Sequence, residues 1–142
     1  MDRKCTNHSF LLLMQTARLF QERIRDDMNQ NNLSITEFSV LEVLFHKGKQ
    51  TIQQIANSIL VANSSMTYVI DKLEQKGLLK RNACPEDRRV VHITLTEKGL
   101  GLMNTVMPEH EEFVDLAFDS LHPKELEQFD ILLKKVKEKL EK

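Results

Sequence analysis

Two short stretches of this chain carry side chains suited to reading a nucleic acid. Asn63, Ser64, Ser65, Thr67 and Tyr68 follow one another closely. Small polar side chains let a helix approach a duplex, and an asparagine amide can pair bidentately with adenine N6 and N7. Tyr68 offers a hydroxyl to a phosphate or a ring to a thymine methyl. The plainer alternative is that Ser64 and Ser65 only serve the start of a helix and that Tyr68 half-packs. The second stretch is Ala83-Cys84-Pro85-Glu86-Asp87-Arg88-Arg89. Arginines at the tip of a hairpin can enter a minor groove, where narrow A/T tracts concentrate negative potential. Arg88 and Arg89 otherwise form only a solvated salt bridge with Asp87. Thr51, Gln53 and Lys72 are candidates for phosphate contacts, which position a duplex without reading its sequence. Cys84 lies near Lys80, Arg81, Arg88 and Arg89, and neighbouring cations favour a reactive thiolate. An inert turn cysteine is the alternative.

Other chemistries lack their motifs. No glycine-rich phosphate loop, H-E-x-x-H pair or nucleophile elbow occurs, so no catalytic residue is assigned and an enzyme is not expected. His8, His46, His92, His110 and His122 are scattered, and Cys5 and Cys84 form no C-x-x-C pair, so neither a metal site nor a cofactor is expected. The net charge of −1 excludes non-specific coating of nucleic acid but not a local contact. Lys72, Lys76, Lys80, Arg81, Arg88 and Arg89 concentrate positive charge, whereas Glu109, Glu111, Glu112, Asp115 and Asp119 concentrate negative charge. Apolar runs are too short to span a bilayer, and the start Met1-Asp2-Arg3-Lys4 leads to no cleavage site of a secretory signal. No membrane association and a cytoplasmic location are therefore expected.

The periodicity shows what must position these residues. Phe10, Leu13, Ala17, Phe20, Ile24 and Met28 step by three and four, which predicts a helix over about 7–30. Ser34-Ile35-Thr36-Glu37 and Thr51-Ile52-Gln53-Gln54 are capping-box patterns that open two further helices. A fourth helix is expected over 62–76 with Met66, Val69, Ile70 and Leu73 inward and Gly77 as terminator. The period then changes to two, predicting strands over 78–82 and 90–95 around a polar tip. A helix-turn-helix followed at once by a hairpin is a winged helix. Two more helices follow, the first expected to kink at Pro108 and the second opened by Pro123, with Leu126, Phe129, Leu133, Val136 and Leu140 as a seam. The fold class is therefore mainly α with a small β hairpin. The expected division is a terminal helix over 1–33, a winged helix-turn-helix core over 34–96 and C-terminal helices over 97–142. The flanking helices carry apolar stripes too long for so small a core, which points to a homodimer with a second copy interlocked.

Leu78-Leu79-Lys80-Arg81 together with Asp87-Arg88-Arg89-Val90-Val91-His92-Ile93-Thr94-Leu95-Thr96-Glu97-Lys98-Gly99 resembles the wing signature of the MarR (multiple antibiotic resistance regulator) family, D-x-R, a strand, then L-T-x-x-G. The run from Ser64 to Leu78 is similar to that family's recognition helix, although Asn63 stands where many members carry a basic residue. Met66-Thr67-Tyr68-Val69 and the 83–89 run further resemble its hydroquinone- and quinone-responsive members. The resemblance implies a repressor that binds double-stranded DNA at a pseudo-palindromic operator, with Arg89 entering the minor groove and Asp87 holding its guanidinium. It also implies release by a small phenolic or aromatic effector or by thiol modification. A crevice for such a ligand is expected where the first helix and the Pro108 helix meet the core, lined by Met14, Phe38, Phe45 and Phe113. The competing functions are a winged-helix module for protein contact and a metal-responsive regulator of the same fold.

Overall fold

The computed structural model describes residues 7–59 and 65–141. The chain divides into two compact units, Met1–Thr105 and Val106–Lys142. The first contains α1 (His8–Asn29), α2 (Ile35–Lys47), β1 (Gln50–Thr51), α3 (Ile52–Ser58), α4 (Met66–Gln75), β2 (Leu79–Ala83) and β3 (Val91–Leu95). A fifth helix, α5 (Glu97–Ala117), continues through Pro108, and α6 (Pro123–Leu140) closes the described chain.

Local chemistry sets most helix starts. The Asn7 side chain accepts the Phe10 N–H at 3.0 Å and opens α1. At α2 the Ser34 hydroxyl accepts the Glu37 N–H at 3.0 Å while the Glu37 carboxylate accepts the Ser34 N–H at 2.8 Å. Thr51 and Gln54 repeat the exchange at α3, so two pairs of otherwise orphaned groups are satisfied, as their spacing predicts. Asn32, with φ 59°, makes the left-handed turn between α1 and α2 that asparagine tolerates well. The expected start at residue 62 lies outside the described residues; Ser65, with φ −57° and ψ 126°, is the N-cap and Met66 the first residue of α4.

The core of the first unit is the inward face of α2 with α3, α4 and the sheet. Leu41, Ile55, Ile70, Leu73, Leu79 and Ile93 are fully enclosed there. Burial of each such side chain contributes about 1.5–3 kcal/mol. The sheet has three antiparallel strands in the order β1-β3-β2, one more than the expected hairpin. Gln50 pairs with Ile93 and Thr51 with His92, while Leu79 to Ala83 run against Leu95 to Val91. Two-residue β1 is too short to show alternation, and its second residue doubles as the cap of α3.

The exit from α4 fixes the wing to the core. Gly77, at φ 75°, lets the Leu78 N–H return to the Leu73 carbonyl at 3.0 Å and its own N–H to Glu74 at 2.9 Å. Thr96 then ties this turn to α5: its hydroxyl donates to the Gly77 carbonyl at 2.6 Å and accepts the Gly99 N–H at 3.1 Å. Gly99 lies so close to Leu78 that a Cβ there would stand 2.0 Å from the Leu78 carbonyl oxygen.

Glu37 is the buried charge of this unit. The Lys76 ammonium sits 2.9 Å from its carboxylate and donates to the Asn32 carbonyl at 2.8 Å, joining the start of α2 to the end of α4. Burial pushes the Glu37 carboxyl up, but Lys76 and the Ser34 hydrogen bonds outweigh it and hold the group below its ordinary value of 4.5. A carboxylate depressed in the folded state contributes stability above its unfolded pKa, and that contribution is lost as pH falls through the folded value. Urea unfolding at a series of pH values should therefore show stability falling below about pH 4. Glu37→Gln is expected to lose about 1–2 kcal/mol at pH 7 and to show a shallower acid slope; an unchanged slope would contradict this role.

Candidate nucleic-acid interface

α4 has one face in the core and one in solvent. Val69, Ile70 and Leu73 are buried, whereas Thr67, Tyr68, Asp71 and Lys72 are exposed. Tyr68 keeps 59 % of its surface accessible, so it does not half-pack. The Lys72 ammonium lies 5.7 Å from the centre of the Tyr68 ring, which places a positive charge beside an aromatic face. Ser65 caps the helix by position, yet its hydroxyl makes no capping hydrogen bond. Asn63 and Ser64 lie outside the described residues.

The wing tip is a tight turn between β2 and β3. The Cys84 N–H donates to the Val90 carbonyl at 2.8 Å, and the Val90 N–H to the Asp87 carbonyl at 3.0 Å. Within this turn one oxygen of the Asp87 carboxylate accepts both the Arg89 backbone N–H and its Nε–H at 3.1 Å. The other accepts the Nη2–H at 3.4 Å. These donors hold the Asp87 carboxyl below its ordinary range. The pair therefore orients a guanidinium that is 92 % accessible at the end of the hairpin. An exposed pair of this kind adds little stability, and its effect is on direction. Arg88 is exposed beside it.

The candidate phosphate contacts are divided between α3 and α4. Thr51 spends its hydroxyl on the α3 cap, Gln53 is exposed and donates to Asn57 at 3.0 Å, and Lys72 projects from α4.

Cys84 is half-buried in the turn. Its thiol is lowered from the ordinary value, first by the backbone N–H groups of Glu86 and Asp87 and then by the charge of Lys49. The basic neighbours suggested by sequence are not its chief cause. Arg81 in particular is committed to Asp71 and Glu74 of α4, a contact that the sequence reading missed.

The residues expected to line a ligand crevice fall in different settings. Met14 borders a shallow groove of about 390 Å³ along α1, together with Leu11, Gln15, Ala17, Arg18 and Gln21. Phe38 is buried in the core, Phe45 is half-buried on α2 with an edge-on contact to His46, and Phe113 belongs to the second unit. Among the described residues no three His, Cys, Asp or Glu side chains are grouped to hold a metal ion, and no helix is long and apolar enough to cross a membrane.

The MarR family model matches residues 33–91, which take in α2 through the first residue of β3. The HTH-type transcriptional regulator MhqR of Bacillus subtilis is 44 % identical over 127 residues, covering 89 % of this chain and 88 % of that protein. The chain belongs to the MarR family. It is thus a DNA-binding transcriptional regulator, and its relatives are regulators rather than enzymes. The crystal structure of AbsC, a MarR family regulator from Streptomyces coelicolor, superposes with a TM-score of 0.84 at 26 % identity over 98 % of each chain. NadR in complex with 4-hydroxyphenylacetate shares the fold, with a TM-score of 0.78 at 24 % identity, covering 96 % of this chain and 97 % of that one. Helices α3 and α4 followed by the β2–β3 hairpin form a winged helix.

Proposed function

We propose that this regulator is a cytoplasmic, homodimeric repressor of a pseudo-palindromic operator. Ser65, Thr67 and Tyr68, with Asn63 and Ser64, read the major groove, and Arg89 enters the adjacent minor groove. The single observation that carries this reading is the Asp87–Arg89 pair, which aims an almost fully accessible guanidinium from the wing tip. Thr51, Gln53, Lys72 and Arg88 set the register through phosphates. Dimerisation is supported by apolar side chains left open on the helices at both ends of the chain. Phe10, Leu12, Met14 and Leu19 are exposed on α1, and Leu132, Val136 and Leu140 on α6. Apolar stripes of this extent mark a protein–protein surface, and a two-fold partner covers the same stripe on both copies.

Release by a small phenolic or aromatic ligand, or by a thiol-reactive electrophile, completes the proposal. The solved NadR complex carries a phenolic acid, and the groove along α1 offers an apolar rim with Gln15, Gln21 and Arg18 as polar groups. Cys84 supplies the second route, because the N–H groups that lower its thiol favour the attacking thiolate. An adduct there sits inside the turn that holds Asp87 and Arg89. Footprinting over the regulator's own promoter region tests the whole reading. The expected result is a symmetric protected site with half-sites about one helical turn apart and two chains bound. Electrophile should erase the footprint of the parent and spare that of Cys84→Ser, whereas a phenolic ligand should release both. An asymmetric site saturated by one chain would contradict the dimer, and equal electrophile sensitivity would remove Cys84 from the switch.

A further inference from the structure

The charge of Arg81 is spent within the protein, on Asp71 and Glu74. Arg81 lies on β2, one of the two edge strands of the sheet, opposite Ile93. Its Nη2–H donates to the Asp71 carboxylate at 2.5 Å and its Nη1–H to the Glu74 carboxylate at 2.6 Å. Asp71 and Glu74 are three residues apart on α4, so one planar guanidinium spans two successive positions of a helix face. Glu74 also accepts the Arg81 backbone N–H at 3.3 Å. That donor belongs to an edge strand, where outward N–H groups lack a ladder partner. Backbone and side chain of one wing residue thus grip the same helix.

We propose that Arg81 is a positioning residue that sets the angle between α4 and the wing, and through it the match between major-groove and minor-groove contacts. The geometry favours this over a stabilising role alone. α4 is already anchored by Val69, Ile70 and Leu73, and β2 by Leu79. Those apolar contacts, with Ile93 in the core and β1 paired to Ile93 and His92, hold the base of the hairpin, but from 82 to 92 no residue is buried, so the tip has no core anchor of its own. The Arg81 fork acts two residues beyond Leu79, level with Ile93, and ties the last core-held part of the hairpin to two positions of α4. Only 27 % of the Arg81 side chain is accessible, so its charge contributes little to phosphate attraction. The inference rests on α4 and the wing being the two DNA-reading parts.

The sign of one substitution separates positioning from simple electrostatics. Asp71→Asn with Glu74→Gln removes two negative charges from the recognition helix. Charge alone would tighten binding to any DNA. Positioning instead predicts that operator affinity falls about tenfold while affinity for scrambled DNA holds or rises. Arg81→Gln should show the same loss with an unchanged dependence on salt, and Arg81→Lys, which can reach one carboxylate, should recover part of it. Melting curves of each variant confirm folding, and the Asn/Gln pair carries the decision if Arg81→Gln fails to fold. Operator binding by that pair as tight as the parent's, or tighter, overturns the proposal. Arg89→Ala belongs in the same titration: if it too leaves operator affinity unchanged, the wing reading falls and the inference with it, whereas loss in Arg89→Ala alone overturns only the role of Arg81.

Discussion

Gly99→Ala is expected to destabilise the protein by about 3 kcal/mol, at the upper end of what overpacking usually costs. The added Cβ would meet the Leu78 carbonyl oxygen at 2.0 Å, its carbon at 2.9 Å and the Leu78 Cα at 3.3 Å. All three are backbone atoms, so no side chain can swing away to make room. Either α5 or the α4–β2 turn must move. Moving either one strains the bonds that Thr96 makes to the Gly77 carbonyl and the Gly99 N–H, and the Thr96 N–H bond to Leu78 at 3.1 Å. Gly101 is the internal control. It lies two residues on in the same helix, and an added Cβ there meets nothing within 4 Å. Gly101→Ala should be neutral or stabilising by about 0.5–1 kcal/mol, the ordinary gain of alanine over glycine in a helix. Thermal unfolding compares the two directly: Gly99→Ala should melt roughly 10 °C lower than the parent and Gly101→Ala at or slightly above it. Similar melting temperatures for both would contradict the close approach at Leu78.

Arg89→Ala should weaken operator binding by about 10- to 100-fold, the usual range for losing one specific groove contact. Among the described residues the side chain pairs with Asp87 and is otherwise open, so the melting temperature should not change by more than a degree or two. Removing one cation from the DNA should also lower the slope of log Kd against log salt by about one. Asp87→Asn distinguishes orientation from charge. It takes a negative group away from the DNA, yet frees the guanidinium to wander, and is expected to lose several-fold in operator affinity. Arg88→Ala, which removes a proposed phosphate contact, should lose less and equally on operator and scrambled DNA. Equal losses for Arg88→Ala and Arg89→Ala would reduce the wing to a patch of charge.

Local features of this fold were legible in the sequence for a physical reason. A capping box closes within three residues, so Ser34 with Glu37 and Thr51 with Gln54 announce their helices without tertiary information. The alternation of Val91, Ile93 and Leu95 similarly marks β3. Asp87 and Arg89 are two residues apart, and the resemblance that paired them agrees with the hydrogen bonds of the turn. Contacts made across the chain were hidden. Arg81 read as one more cation near Cys84, because its partners lie seven and ten residues away on a different element, α4. The lowered thiol of Cys84 arises mainly from backbone N–H groups, which every residue possesses and no composition reveals. Phe38 has the right chemistry for a ligand crevice but faces the core, since a stripe of aromatic residues looks the same in either setting. Gly99 was visible as part of a signature, while its cause, the backbone of Leu78, emerges only in three dimensions.

The central claim is that α4 and the wing together read a specific DNA sequence. The most direct test is the affinity of the intact protein for a fragment of its own promoter region, set against a scrambled fragment at several salt concentrations. The account predicts a preference of at least 1,000-fold at physiological salt, the ordinary margin of a specific regulator, with a salt slope set by several phosphate contacts. Equal and weak binding to both fragments by folded, effector-free protein would contradict it.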